Sequence, residues 1–144
     1  MIVRRMVAAA VAAVASTVVC AGPAAADDFT GTYSVTLIGA TGQSSWSTRT
    51  ACAPAGSCVA HVTSSVGWSG NATLSGNRWT MTVARADGHS CPDGTRHAEM
   101  QTWSWDATTL DGEVGGVSTD PASCPVGQAN SFSLTRMRVG GTPL

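Results

Sequence analysis

The segment FTGTYSVTL (residues 29–37) alternates apolar or small residues with polar ones over nine positions. A period of two places successive side chains on opposite faces of a β-strand. Tyr33 and Val35 therefore face a core, whereas Ser34 and Thr36 face solvent. The segment predicts a strand that is buried on one side only, as in an antiparallel sheet.

The rest of the chain repeats this type of element. No window after Ala26 has apolar residues at the spacing of three and four that marks an amphipathic helix. Eight strands are predicted, over residues 29–37, 44–52, 58–66, 71–75, 78–85, 97–105, 110–119 and 129–138. Short sequential strands favour an all-β, antiparallel up-and-down meander, closed as a small barrel because closure removes exposed edges. A β-sandwich is the alternative.

Turn-forming residues separate these strands. Gly76-Asn77 and residues 106–109 predict tight turns. The dipeptides Asp87-Gly88 and Asp93-Gly94 are assigned to a long loop after the fifth strand. Asp111-Gly112 is either a turn or a bulge within the seventh strand.

The first 26 residues have the three parts of a secretory signal peptide: Arg4 and Arg5, an apolar run from Met6 to Val19, and a small-residue end at Ala26. The apolar run has 14 residues, fewer than the roughly 20 that span a bilayer as a helix. Residues 1–26 are therefore predicted to be removed, leaving one secreted domain over residues 27–144. A lipid anchor on Cys20 is the alternative, although the bulky Val19 precedes it.

Charge excludes two classes of partner. Residues 27–144 contain six arginines, no lysine and nine acids, a net charge of −3 with histidine neutral. Such a surface repels phosphates. We therefore expect no nucleic-acid partner and no stable membrane insertion after signal cleavage, and we expect a monomer.

Four cysteines remain after cleavage, an even number that predicts two disulfides outside the cytoplasm. In a meander, alternate connections lie at opposite ends, about 26 Å apart for an eight-residue strand. A disulfide needs Cα atoms within about 7 Å. The topology therefore predicts the pairs Cys52 with Cys58 and Cys91 with Cys124.

The motifs GTYSV (31–35), RWTMTV (78–83), CPDGT (91–95) and WSWDATTLDGEVGG (103–116), with CVAHV and FSLTRM, resemble a group of small exported β-domains of mycobacteria and related actinobacteria. The resemblance covers nearly all of residues 27–144. It implies a secreted or cell-envelope location. Because its motifs are those of strands, turns and cysteines, it assigns no catalytic residue.

Catalytic patterns are weak. A serine hydrolase needs G-x-S-x-G on a strand-to-helix turn, and the segment 67–71 (GWSGN) lacks the final glycine. His61, His89 and His97 have no standard metal-ligand spacing, so no metal and no cofactor are predicted. The acidic pairs Asp111 with Glu113 and Asp93 with Glu99 are ordinary for a domain with nine acids.

One strand face is chemically mixed. Glu99, Gln101, Trp103 and Trp105 alternate with Met100, Thr102 and Ser104, so the four share one face. Aromatic walls with a few polar groups are typical of ligand sites. We therefore predict a ligand site on this face; the alternative is that the tryptophans fill the core and the polar residues lie at the strand end.

These features predict a non-catalytic binding or interaction module of the cell envelope, whose partner is a small molecule or an envelope protein. A small secreted hydrolase is one alternative and would need a histidine meeting a nucleophile or an acid pair. A structural or inhibitory protein is another, expected to have a filled core and an exposed apolar patch.

The exported chain is expected to begin at Asp27, because the small-residue cleavage signature ends at Ala26. N-terminal sequencing of the protein from culture medium measures this. A lipid-modified chain that begins at Cys20 would contradict it.

Overall fold

Eight antiparallel strands form a closed barrel in the computed structural model, which describes residues 29–127, 129–138, 140 and 143. The strands are β1 (Gly31–Leu37), β2 (Gln43–Cys52), β3 (Cys58–Ser64), β4 (Ser69–Ser75), β5 (Arg78–Ser90), β6 (Arg96–Asp106), β7 (Asp111–Ser118) and β8 (Asn130–Met137). Each strand pairs with its neighbours in the chain, and β1 pairs with β8 to close the sheet. The predicted all-β meander barrel is confirmed.

The predicted strand bounds agree with the observed ones to within two residues, except at the end of β5. That strand continues to Ser90, so Asp87-Gly88 lies in a strand and its assignment to a loop was wrong. The ladder between β5 and β6 shifts register between Arg85 and His89. A bulge accommodates extra residues without ending the strand, which is why a turn-like dipeptide fits there.

The connections lie at two opposite ends of the barrel, because strand direction alternates. We call the end with residues 53–57, 76–77 and 107–110 the base, and the end with residues 38–42, 65–68 and 91–95 the mouth. The Cys52–Cys58 disulfide lies at the base, with its Cα atoms 4.0 Å apart. The Cys91–Cys124 disulfide lies at the mouth, with its Cα atoms 5.8 Å apart. Both predicted pairings are confirmed.

Hydrogen bonds between side chains join two turns at the base. Asn77 Nδ2 donates to Asp106 Oδ2 over 3.0 Å and to Thr108 Oγ1 over 3.1 Å. Asp106 Oδ1 accepts the backbone N–H groups of Thr108 and Thr109. The backbone N–H of Thr109, followed by that of Thr108, lowers the pKa of the Asp106 carboxyl. The base is thus tied together independently of its disulfide.

Aromatic side chains fill much of the interior of the barrel. All eight aromatic residues of the chain contact one another in one network, in which Phe29 lies 4.9 Å from Tyr33 and Trp46 lies 5.1 Å from Trp103, measured between ring centroids. Strands β3, β4 and β7 carry no aromatic residue, and β3 and β4 supply small residues such as Ala60 and Ala72, which are fully buried. Large rings on some strands therefore pack against small residues on others, as close packing requires.

The structure describes no residue of the predicted signal peptide, so that prediction lies outside the described residues. Within the residues that are described, no helix is long and apolar enough to span a bilayer.

Gly112→Ala should destabilise the protein by about 1 to 3 kcal/mol, the usual cost of overpacking a core. A Cβ built at Gly112 would lie 2.7 Å from Trp105 Cβ and 2.8 Å from Phe132 Cε1. Gly115→Ala is the matched control on the same strand, because its Cβ would meet only Ala129 Cβ, at 3.8 Å. Urea unfolding measures both variants, and equal stabilities would contradict the packing assigned to β7.

Candidate functional site

An open cavity of about 770 Å³ occupies the mouth end of the barrel. Trp68, Gln101 and Trp103 line its inner end, and the two tryptophans belong to the aromatic network. The two indole rings lie 5.6 Å apart between centroids and are inclined by 33°. Eight-stranded barrels are just wide enough either to be filled by side chains or to hold one small ligand. This barrel is filled at its base and open at its mouth.

The four residues of the predicted site all point to the inside of the barrel, but they lie at different depths. Glu99, Gln101 and Trp103 line the cavity. Trp105 is fully buried beneath it, against Phe29 and Trp46. Trp105 is therefore part of the core that supports the cavity and not part of the cavity wall.

Two buried polar atoms at the inner end of the cavity have no hydrogen-bond partner among the described residues. They are Gln101 Oε1 and Trp103 Nε1. A buried polar atom left without a partner costs about 1 to 3 kcal/mol. The indole nitrogens of Trp46, Trp79 and Trp105 also lack partners, but those residues do not line the cavity. Gln101 and Trp103 are thus the lining residues that carry a buried polar atom without a partner.

Glu99 is held over the wall of the cavity by glycines on both neighbouring strands. A Cβ at Gly116 of β7 would overlap the Glu99 carboxyl group, and a Cβ at Gly88 of β5 would lie 3.2 Å from Glu99 Cβ. The Glu99 side chain is 9% exposed. Both glycines therefore provide the space in which this carboxylate lies.

His89 is the nearest charged or ionisable partner of Glu99. Its Nδ1 lies 3.7 Å from Glu99 Oε2, a distance too long for a hydrogen bond. Its Nε2 donates to the carbonyl oxygen of Cys124 over 3.0 Å. That bond joins the inner wall of β5 to the connection that follows β7, beside the Cys91–Cys124 disulfide.

The two arginines of the lining are more exposed than Glu99. Arg85 is 20% exposed, and its guanidinium is 3.7 Å from Asp87 Oδ1. Arg96 is exposed, and its Nε donates to the carbonyl oxygen of Asp87 over 3.1 Å. Leu37, Val66 and Val114 form the apolar part of the lining, which we call the apolar wall, and the polar residues Gln43, Ser44 and Asn130 lie among them. The ionisable side chains of the lining lie on β5 and β6.

His89, Cys91 and Cys124 are the one group in the described part of the chain with metal-ligand atoms close together, within 4.8 Å of one another. Both cysteine sulfurs are joined in the disulfide. A thiolate, not a disulfide sulfur, is the metal ligand. This cluster is therefore explained as the packing of a histidine on a disulfide.

A chain of hydrogen bonds at the mouth has the order of a catalytic triad. His97 Nδ1 donates to Asp120 Oδ2 over 2.8 Å, and His97 Nε2 lies 3.0 Å from Thr95 Oγ1. Thr95 Oγ1, however, donates its proton to Asp93 Oδ1 over 2.6 Å. The hydroxyl proton is thus directed to a carboxylate and not to the imidazole that would have to remove it.

The other candidates for catalysis are dispersed. His61 is exposed and its Nδ1 lies 2.9 Å from Asn71 Oδ1. Asp111 and Glu113 are exposed on the outer face of β7, away from the cavity. The described residues therefore bring no histidine and nucleophile together inside the cavity.

Sequence reasoning missed Trp68, Arg85 and His89 as cavity residues. Arg85 and His89 continue the inward alternation of Met81 and Val83, a signal that was present but was interrupted by the turn-like Asp87-Gly88. Trp68 lies in the short connection between β3 and β4, where successive side chains do not alternate between two faces as they do in a strand. Only its packing against Trp46 and Trp103 places it at the cavity.

Comparison with protein-family models, with curated proteins and with solved structures finds no match to this chain. Function is therefore inferred from the cavity and its chemistry.

The hydrogen bonds among Asp93, Thr95, His97 and Asp120, which we call the mouth network, make the free energy of unfolding depend on pH in the acid range. The hydrogen bond from His97, followed by the backbone N–H of Ala122, lowers the pKa of Asp120 below its ordinary 3.8. The Thr95 side chain and then its backbone N–H lower the pKa of Asp93. A folded-state pKa below the unfolded value stabilises the protein above about pH 4, and the contribution is lost as pH falls through the lowered pKa.

Asp120→Asn should therefore reduce the fall in unfolding free energy between about pH 4 and pH 2. Thermal unfolding across that range measures the slope. Asp111→Asn is the control, because the Asp111 carboxylate accepts no hydrogen bond among the described residues. An unchanged slope in Asp120→Asn would contradict the role of the network.

Proposed function

We propose that this protein is a secreted, non-catalytic binding module of the cell envelope that holds a small molecule in the mouth of its barrel. The observation that carries the proposal is the open cavity of about 770 Å³, lined at its inner end by Gln101 and Trp103, whose buried Oε1 and Nε1 atoms have no protein partner. A guest that hydrogen-bonds these atoms offsets the cost of burying them. The apolar wall and the indoles supply the contact area that small-molecule sites require.

A secreted or envelope location is supported by the signal-peptide pattern of residues 1–26 and by two disulfides. Disulfides persist in oxidising compartments outside the cytoplasm. The mouth disulfide has a further role in the proposed function, since it links the loop after β5 to the connection after β7, both of which border the cavity. A fixed rim reduces the entropy lost when a ligand binds.

The two alternatives fit the site less well. A hydrolase needs a base that can accept the proton of its nucleophile, whereas the Thr95 hydroxyl is directed to Asp93. A purely structural or inhibitory module needs no cavity, and this barrel has one. Exposed Ile38, Val66 and Val126 border the mouth, where an apolar rim also suits the entry of an amphiphilic ligand.

The test screens the protein against fractions of lipid, glycan and metabolite extracts by thermal shift and tryptophan fluorescence, with native mass spectrometry to identify what is retained. At least one fraction is expected to raise the melting temperature. Trp68→Leu should weaken binding of that component about fivefold, because an aromatic contact contributes of the order of 1 kcal/mol.

Leu74→Ala is the matched control, since Leu74 packs against the core but does not line the cavity. It should lower stability and leave the affinity unchanged. If no fraction binds, or if Leu74→Ala weakens binding as much as Trp68→Leu, a binding role for the cavity is excluded.

A further inference from the structure

The cavity has a single carboxylate among its described lining residues, Glu99, and that side chain is buried. It is 9% exposed, compared with 20% for Arg85. No hydrogen bond to the described residues satisfies it, and the imidazole of His89 stands 3.7 Å away. A buried carboxylate is stable when a cation or hydrogen-bond donors reach it.

The cations of the lining have partners of their own. Arg85 is paired with Asp87, and Arg96 donates to the Asp87 backbone carbonyl. Both contacts are made at the β5 bulge, on the rim of the mouth. Glu99 is therefore the least exposed charged side chain of the lining, and Arg85, its partner in the β5–β6 ladder, has its guanidinium beside Asp87.

Groups beside and below Glu99 also favour a ligand that carries a positive charge. Gln101 Oε1 is a buried acceptor without a partner, two residues further along β6 toward the base. The indoles of Trp68 and Trp103 lie beneath, and the face of an indole attracts ammonium groups. Residues 27–144 carry a net charge of −3, which steers cations toward the protein.

From this arrangement we infer that the cavity selects a protonated amine carried on an apolar or aromatic body. The ammonium group pairs with Glu99 and donates to Gln101, while the body contacts the indoles and the apolar wall of Leu37 and Val114. The inference rests on the proposed function and names the ligand class of the same cavity. Glu99 is a ligand-binding residue in this role, and the amine is recognised without any covalent step.

Three probes of one skeleton test this: phenethylamine, phenethyl alcohol and hydrocinnamate, which carry an ammonium, a hydroxyl and a carboxylate. Their affinities for the full protein are measured by tryptophan fluorescence and isothermal titration calorimetry near neutral pH. The amine is expected to bind about tenfold more tightly than the alcohol, and the carboxylate most weakly.

Glu99→Gln should abolish the preference for the amine over the alcohol and leave the affinity for the alcohol within about twofold, because the amide keeps the shape and loses the charge. Glu113→Gln is the matched control, since Glu113 is exposed on the outer face of β7. The preference measured on the unmodified protein tests the inference even if Glu99→Gln does not fold.

A carboxylate that binds more tightly than the amine, or an amine preference that survives in Glu99→Gln, would overturn the inference. Failure of all three probes would overturn it as well. The proposed function would still stand if an extract fraction bound in the preceding screen, and both would fail if no fraction bound.

Discussion

The contact of eight aromatic rings in one network is the constraint on which the rest of this barrel depends. An eight-stranded barrel has an interior of fixed width, and large rings fill it only where facing strands carry small residues. Ala60 and Ala72 on β3 and β4 meet that condition. Gly70 has the same effect, since a Cβ there would lie 3.0 Å from Val83 Cγ2. The base is therefore dense, and its upper surface forms the floor of the cavity.

The inward-facing residues of β6 change from aromatic to polar along the strand, and the cavity begins where they change. Trp105 belongs to the core, Trp103 lies at its surface, and Gln101 and Glu99 lie above it in turn. Because all four point inward, the interior passes from dry and aromatic to polar over the length of strand from Trp105 to Glu99, at about 3.3 Å per residue. A ligand in the mouth would meet indoles at its inner end and a carboxylate beside it.

The mouth needs its own support, because the polar wall has little apolar packing to hold it. Three features support the mouth. They are the Cys91–Cys124 disulfide, the hydrogen bond from His89 to the Cys124 carbonyl oxygen, and the chain of hydrogen bonds from Asp93 through His97 to Asp120. Thr95, His97 and Asp120, whose order resembles a catalytic triad, thus stabilise the mouth connections. The distinction comes from the Thr95 proton, which is directed to Asp93.

Local rules in the sequence by themselves determined the strands, the meander and both disulfides. Alternation with period two depends only on neighbouring residues, and the parity of connections follows from the strand count, so Cys52 with Cys58 and Cys91 with Cys124 could be paired without coordinates. The same alternation placed Glu99, Gln101, Trp103 and Trp105 on one inner face.

Only the tertiary structure decided their depth, and hence that Trp105 is core while the other three line a cavity. It also decided that His89 is buried beside Glu99, because the β5 bulge extends a strand through a dipeptide that usually ends one. Depth and burial are sums over contacts with residues distant in the chain, and no local period encodes them.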